Sequence, residues 1–161
     1  PQATTWISEY VGKSCKIVYM PDHSNRPVDA DYAVGENQVA FSDGFPLLLI
    51  SEASLNDLNS RLSESVTMKR FRPNLVVKNT EPYEEDSWKK IIIGESEFNI
   101  VKPCSRCILT TVDPENGKFS GKEPLRTLAT YRKVNGKIMF GQNLITTIKG
   151  ELKLGMSVEI I

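Results

Sequence analysis

The chain has 161 residues, the usual size of one domain and enough to bury a core without disulfides or structural metals. Its 20 lysines and arginines balance 20 aspartates and glutamates, so no overall field selects nucleic acid, an anionic membrane or a polyanionic substrate, and any anion site must be local. There is no apolar run near the roughly 18 residues of a membrane span and no basic-then-apolar leader, while three cysteines at irregular spacing suit no disulfide framework; a soluble protein of the reducing cytoplasm is expected.

Thr4 and Thr5 ahead of Trp6, Ile7, Tyr10 and Val11 predict a short opening helix that Gly12 ends. Cys15 to Met20, with Ile17, Val18 and Tyr19, reads as a strand, and Pro21 to Pro27 as a loop. The apolar run Pro46 to Ile50 suits a strand buried on both faces. Ser51 then caps a helix to about Leu62: Glu52 sits in its first turn, where the helix dipole favours an anion, and Leu55, Leu58 and Leu62 share a face.

Further strands are predicted over Asn74 to Val77, Lys90 to Ile93, Glu97 to Val101 and Cys107 to Val112, with turn chemistry at Gly94-Glu95-Ser96 and Asp113 to Gly117. A second helix, with Pro124 tolerated in its first turn, is predicted from near Pro124 to Arg132, and strands near Lys137 to Phe140, Asn143 to Ile148 and Ser157 to Ile161 close the chain. Many short strands with few helices do not alternate as a doubly wound sheet would; they predict a mainly β, barrel-like domain with two or three short helices. The start at Pro1 and the strand-like finish suggest that residues 1–161 are a single domain cut from a longer chain.

Three clusters carry potential chemistry. Cys104-Ser105-Arg106-Cys107 lacks the two further ligands of a zinc site, since only Cys15 and His23 are on offer, and neither has metal-like spacing. A dithiol redox pair normally opens a helix, and β-branched residues follow here; an inert buried thiol suits Cys104 and Cys15 better than Cys107, beside which Arg106 and Lys102 lie close in sequence. Arg70-Phe71-Arg72-Pro73-Asn74 offers two guanidiniums and an amide to an anion, or else a solvated strand end. Ser42-Asp43-Gly44-Phe45-Pro46 offers backbone amides on a flexible turn, or else an ordinary turn. His23 has no evident partner and receives no role.

Taken together, Ser42 to Pro46, Leu49 to Leu55, Phe71 to Asn74, Glu85-Asp86-Ser87-Trp88 and Cys104 to Cys107 resemble the MOSC domain family, named for the C-terminal domain of molybdenum cofactor sulfurases. Within it the likeness is greatest to the mitochondrial amidoxime-reducing group and its bacterial relatives, through Thr110 to Pro114, Glu123-Pro124-Leu125 and Phe140-Gly141-Gln142.

The resemblance implies a β-barrel-like fold and a molybdopterin cofactor, with Cys107 as catalytic residue and molybdenum ligand. It further implies that Arg72 and Asn74 hold the cofactor's phosphate or pterin, that Asp43, Gly44 and Phe45 line the pterin side, Gly44 and Phe45 through backbone contacts, and that Ser105 and Arg106 shape the pocket. The resemblance also implies that the longer parent chain carries an N-terminal β-rich region and, as in some bacterial relatives, a C-terminal two-iron ferredoxin domain, both outside residues 1–161. The implied activity is reduction of N-hydroxylated compounds (amidoximes, hydroxylamines or hydroxylaminopurines) with electrons from a separate ferredoxin-like, flavin or haem partner. The alternative is a non-catalytic cofactor or sulfur carrier working with a pyridoxal-phosphate-dependent sulfurase.

Overall fold

A computed structural model of the chain describes residues 2–161. In chain order the elements are α1 (Gln2–Val11), β1 (Leu47–Ser51), α2 (Glu52–Ser60), β2 (Leu75–Val77), β3 (Lys90–Ile93), β4 (Ser96–Arg106), α3 (Leu125–Tyr131), β5 (Lys133–Val134), β6 (Lys137–Ile148) and β7 (Val158–Ile160). The strands form one sheet in the order β2-β1-β6-β4-β3-β7, with β5 pairing β6 as a hairpin. β1 and β2 are parallel, and the other pairs are antiparallel.

The two long strands β4 and β6 carry this sheet, and it curls because both ends of the strand path bury side chains in one core. Val77 of β2 and Ile91 and Ile93 of β3 share a cluster with Leu49, Trp88, Phe98 and Leu144, and Val158 of β7 packs against it. The result is the nearly closed, mainly β barrel that the strand-rich sequence predicts. A second core, Ile50, Leu58, Phe71, Leu128 and Phe140, lies where α2 and α3 cover the sheet. Successive residues of a strand face opposite ways, so Leu49 enters one core and Ile50 the other, which accounts for the unbroken apolar run of β1.

Ser51 ends β1 and caps α2, its hydroxyl accepting from the Ser54 amide at 3.0 Å. Behind this junction lies Glu85, almost wholly buried, whose Oε1 accepts from the Ser51 amide at 3.1 Å and from the Ser54 hydroxyl at 2.7 Å. Next to it, Asp86 accepts from Arg132 Nη2 and from Gln142 Nε2, both at 2.6 Å. Glu85 and Asp86 of the Glu85-to-Trp88 motif therefore brace the barrel against its helices.

The first helix begins at Gln2, so Thr4 and Thr5 lie inside it and do not cap it. The structure departs from the predicted strands at three places. Cys15 to Met20 forms no strand, and Ile17, Val18 and Tyr19 are 61, 64 and 79% exposed; the segment has strand composition but no neighbouring edge to pair with. The two strands expected around Phe140 and Asn143 are one, β6, because Gly141 at φ 82° continues the strand where any other residue would press on the Leu49 carbonyl.

The predicted strand Cys107 to Val112 is replaced by a 3-10 turn over Ile108–Thr111. Its threonines bond back three residues, Thr110 Oγ1 to the Cys107 carbonyl at 3.0 Å and Thr111 Oγ1 to the Ile108 carbonyl at 2.7 Å, and this local bonding outweighs their β preference. β4 instead runs on through Pro103 to Arg106, past a register shift between Pro103 and Ser105 of the kind that accommodates a proline within a ladder.

Candidate cofactor site

Where β4 ends, three segments distant in sequence close around a cavity of about 390 Å³. Phe41 to Leu48 form one wall, Arg70 to Asn74 with its proline set back form the second, and Cys104 to Thr110, apart from Ile108, form the third. Asp43, Gly44, Phe45, Arg72, Asn74, Ser105, Arg106 and Cys107, the residues to which the resemblance assigns roles, all line this one cavity.

Each wall has a local cause. β4 delivers Ser105 opposite Met139 and Arg106 opposite Ile138 of β6, so the register of this long antiparallel pair sets the depth of the Cys104 to Cys107 block. Asn74 fixes the second wall to β1: its amide donates to the Leu48 carbonyl at 2.8 Å, and its Oδ1 accepts from the Leu48 amide at 2.9 Å. With Oδ1 engaged, the Nδ2 group is the part of Asn74 left to donate. Arg72 stands at φ 56°, a left-handed conformation costly for a residue with a Cβ and often found at functional sites. Arg70 spends Nη1 on the Ser120 hydroxyl at 2.8 Å.

The charge distribution around the cysteines differs from the sequence expectation. Arg106 and Lys102 were expected to lie near Cys107 and to support its thiolate. Residues i and i+2 of a strand share a face, however, so Arg106 meets Cys104: Nη1 donates to Cys104 Sγ at 3.0 Å, while Nη2 donates to the Phe71 carbonyl at 2.8 Å. Lys102 reaches the aromatic rings instead, its Nζ 4.0 Å from the centroid of Tyr32 and 5.8 Å from that of Phe45. Cys107, exposed at the head of the 3-10 turn, uses its backbone carbonyl to hold that turn and leaves its sulfur free of any protein hydrogen bond among the described residues. Cys104 is thus half-buried and bonded, and its part in holding Arg106 was not visible in the sequence.

Three observations bear on whether these residues fit a bound cofactor. Two buried polar atoms of cavity-lining residues, Ser42 Oγ and Arg106 Nε, have no partner, a deficit that a polar ligand would remove. The cavity volume falls in the range of roughly 300 to 1,000 Å³ common for small-molecule sites. Among the described residues no group of three or more His, Cys, Asp or Glu side chains comes together, so a metal held at Cys107 would take its other ligands from a non-protein group. The donor set of an unengaged soft sulfur, guanidiniums and amides suits a metal that arrives bound to an anionic organic ligand.

Comparison with known proteins accords with this geometry. Residues 36–159 match the MOSC domain model. The chain belongs to the MOSC domain family. This MOSC domain is 42% identical to human mitochondrial amidoxime-reducing component 1, over 97% of its own length and 50% of that protein's. It is 40% identical to the mouse protein of the same name, over 99% and 50%, and 38% identical to rice (Oryza sativa subsp. japonica) molybdenum cofactor sulfurase, over 87% and 19%. The chain thus spans about half the length of the amidoxime-reducing components it matches. No helix among the described residues is long and apolar enough to cross a membrane.

Proposed function

We propose that this MOSC domain holds the molybdenum cofactor of an oxidoreductase that reduces N-hydroxylated compounds such as amidoximes, hydroxylamines or hydroxylaminopurines. The observation that carries the reading is the convergence of Cys107, Arg72, Asn74 and the Asp43 to Phe45 segment on one cavity, with the Cys107 sulfur unengaged. Support for the substrate class comes from the name of the relatives about 40% identical to it.

When bound, the cofactor supplies a two-electron metal centre able to take the oxygen from an N–O bond. The protein's residues hold and orient. Cys107, as thiolate, is the soft ligand to molybdenum. Arg72 neutralises anionic charge by charge-assisted hydrogen bonds, and Asn74 Nδ2 donates beside it. Arg106, anchored at both ends to Cys104 and Phe71, keeps the Cys107 end of β4 against the Arg70 to Asn74 wall. The net reaction takes two electrons and two protons to convert R–NHOH into R–NH2 and water. The electrons come from a donor protein or domain, ferredoxin-like or a flavin or haem reductase, and the setting is a reducing compartment such as the cytoplasm, in keeping with three free cysteines.

Production in a cofactor-competent host, followed by molybdenum analysis and a benzamidoxime reduction assay with a chemical reductant, tests the proposal. Cys107→Ser should fold normally, because the Cys107 side chain is exposed and unbonded, and should lose both molybdenum and activity. Wild-type molybdenum content in that variant would remove Cys107 from the role.

A second reading, transfer of sulfur as a persulfide on Cys107, is favoured by the exposure of that sulfur and by the likeness to a molybdenum cofactor sulfurase. It predicts a mass increase of one sulfur on Cys107 after incubation with a pyridoxal-phosphate-dependent desulfurase and cysteine. Reduction of benzamidoxime without such a mass increase favours the first reading.

A further inference from the structure

The wall from Phe41 to Phe45 lies outside every strand and helix. Among the described residues, no backbone amide from Ala40 to Phe45 donates to a protein acceptor. What holds this segment is Arg26. Its Nη1 donates to the carbonyls of Ala40 and of Ser42, the latter at 2.7 Å, and its Nη2 to the Asp43 carbonyl at 3.2 Å. The root of Arg26 is itself fixed: the Arg26 carbonyl accepts from the Val39 amide at 3.0 Å, beside the Pro27–Gln38 bridge, and Val28 and Val39 are buried against Ile145.

A trans peptide points its N–H opposite to its C=O. Three carbonyls turned to one guanidinium therefore turn three amides, those of Phe41, Asp43 and Gly44, away from it. All three residues line the cavity, whereas Arg26 does not. Between them the buried Ser42 hydroxyl has no partner.

We infer that Arg26 is a positioning residue for the cavity: by gathering the carbonyls of Ala40, Ser42 and Asp43 it presents the amides of Phe41, Asp43 and Gly44 as preorganised donors to acceptor atoms of the bound group. The guanidinium fork suits this task because it fixes several acceptors in one plane, which the point charge of a lysine does not. Donors aligned before binding cost no reorganisation when the ligand arrives. The identity of the ligand rests on the cofactor reading above, while the clamp itself does not.

The test uses the full chain as wild type, Arg26→Ala and Arg26→Lys, produced in a cofactor-competent host. Arg26→Ala should retain on the order of fivefold less molybdenum after dialysis than wild type, about what one lost ordinary hydrogen bond is worth, and Arg26→Lys should be intermediate. Guanidinium ion added at about 10 mM during loading should restore part of the loss in Arg26→Ala, and methylammonium should not, because only the fork replaces the missing group. In cofactor-free protein the amide resonances of Phe41, Asp43 and Gly44 should move in Arg26→Ala and return on titration with guanidinium.

Wild-type retention in Arg26→Ala, or a loss that guanidinium does not reverse, overturns the positioning role. Wild type without molybdenum overturns the cofactor reading instead, and the clamp is then decided by whether the amide resonances return.

Discussion

Arg106 and Cys104 sit two residues apart on β4, and the guanidinium donates to the cysteine sulfur at 3.0 Å while its other arm holds the Phe71 carbonyl at 2.8 Å. The half-buried cysteine is thereby the acceptor that keeps a cation at the cavity wall. Cys104→Ala should cost about 1 kcal/mol in denaturant unfolding, whereas Cys104→Ser, which keeps an acceptor, should cost less. Equal midpoints for wild type and Cys104→Ala would show that the sulfur holds nothing.

The three thiols should differ in accessibility. Cys107 is exposed, Cys104 is covered in part and bonded to Arg106, and Cys15 sits 3.7 Å from the Ser8 hydroxyl. A limiting dose of iodoacetamide should alkylate Cys107 ahead of the other two, as read by peptide mapping, and loading with molybdenum cofactor should slow that reaction selectively. Faster labelling at Cys104 would contradict the arrangement.

Gly141→Ala should destabilise the barrel by about 3 kcal/mol, the sum of left-handed strain and overpacking. A Cβ there would lie 2.8 Å from the Leu49 carbonyl and 2.6 Å from Ile50 Cγ1, and the backbone atom has no room to yield. Thermal unfolding with near-wild-type stability would show that β6 bends to accommodate it.

Glu85 should be sensitive to truncation. Its Oε1 serves the Ser51 amide and the Ser54 hydroxyl in a fully buried setting, so Glu85→Ala leaves two donors unsatisfied and should cost about 3 kcal/mol. Glu85→Gln keeps the accepting oxygen and should cost less. Identical unfolding midpoints for the two variants would show that the hydrogen bonds carry none of the loss.

Stability should fall at both pH extremes through the Asp57–Tyr83–Tyr131 cluster. Asp57 is held below the ordinary carboxyl value, first by the hydrogen bond from Arg61, with burial opposing and the Tyr83 hydroxyl adding to the depression. A depressed carboxyl contributes above its unfolded value of about 3.9 and loses that contribution as pH falls below it. Tyr83 is pushed far above the ordinary phenol value, first by burial and then by its hydrogen bonds with Tyr131 and Asp57. A raised phenol contributes below about pH 10 and loses the contribution as pH rises beyond it. Asp57→Asn should flatten the acid limb of the stability curve and Tyr83→Phe the alkaline limb; unchanged limbs would remove the cluster from the pH response.

Local signals were enough at several places where a neighbour in sequence makes the decision. Ser51 as cap, the leucine face of α2, the Gly94 turn and the start of α3 at Pro124 each depend on residues within a turn of one another, and the structure has them as the sequence predicts. The candidate site residues were legible by another route, through the resemblance of short segments to one family, and three of these, Ser42 to Pro46, Phe71 to Asn74 and Cys104 to Cys107, do meet at one cavity. Composition alone left each of them with an ordinary alternative.

Tertiary structure decided what depends on partners far along the chain. Whether Cys15 to Met20 becomes a strand depends on an edge being available, and its apolar side chains are exposed for want of one. Which cysteine meets Arg106 depends on β4 extending through Pro103, which its register against β6 allows. Arg26 gave no signal in the sequence because its three acceptors are backbone carbonyls 14 to 17 residues away, and carbonyls carry no residue identity. The sequence by itself determined a strand-rich barrel, the Ser51 cap and the family; the fold decided which sulfur is free, which is held, and which way the amides of the Phe41 to Phe45 wall point, because those follow from strand register and long-range hydrogen bonds.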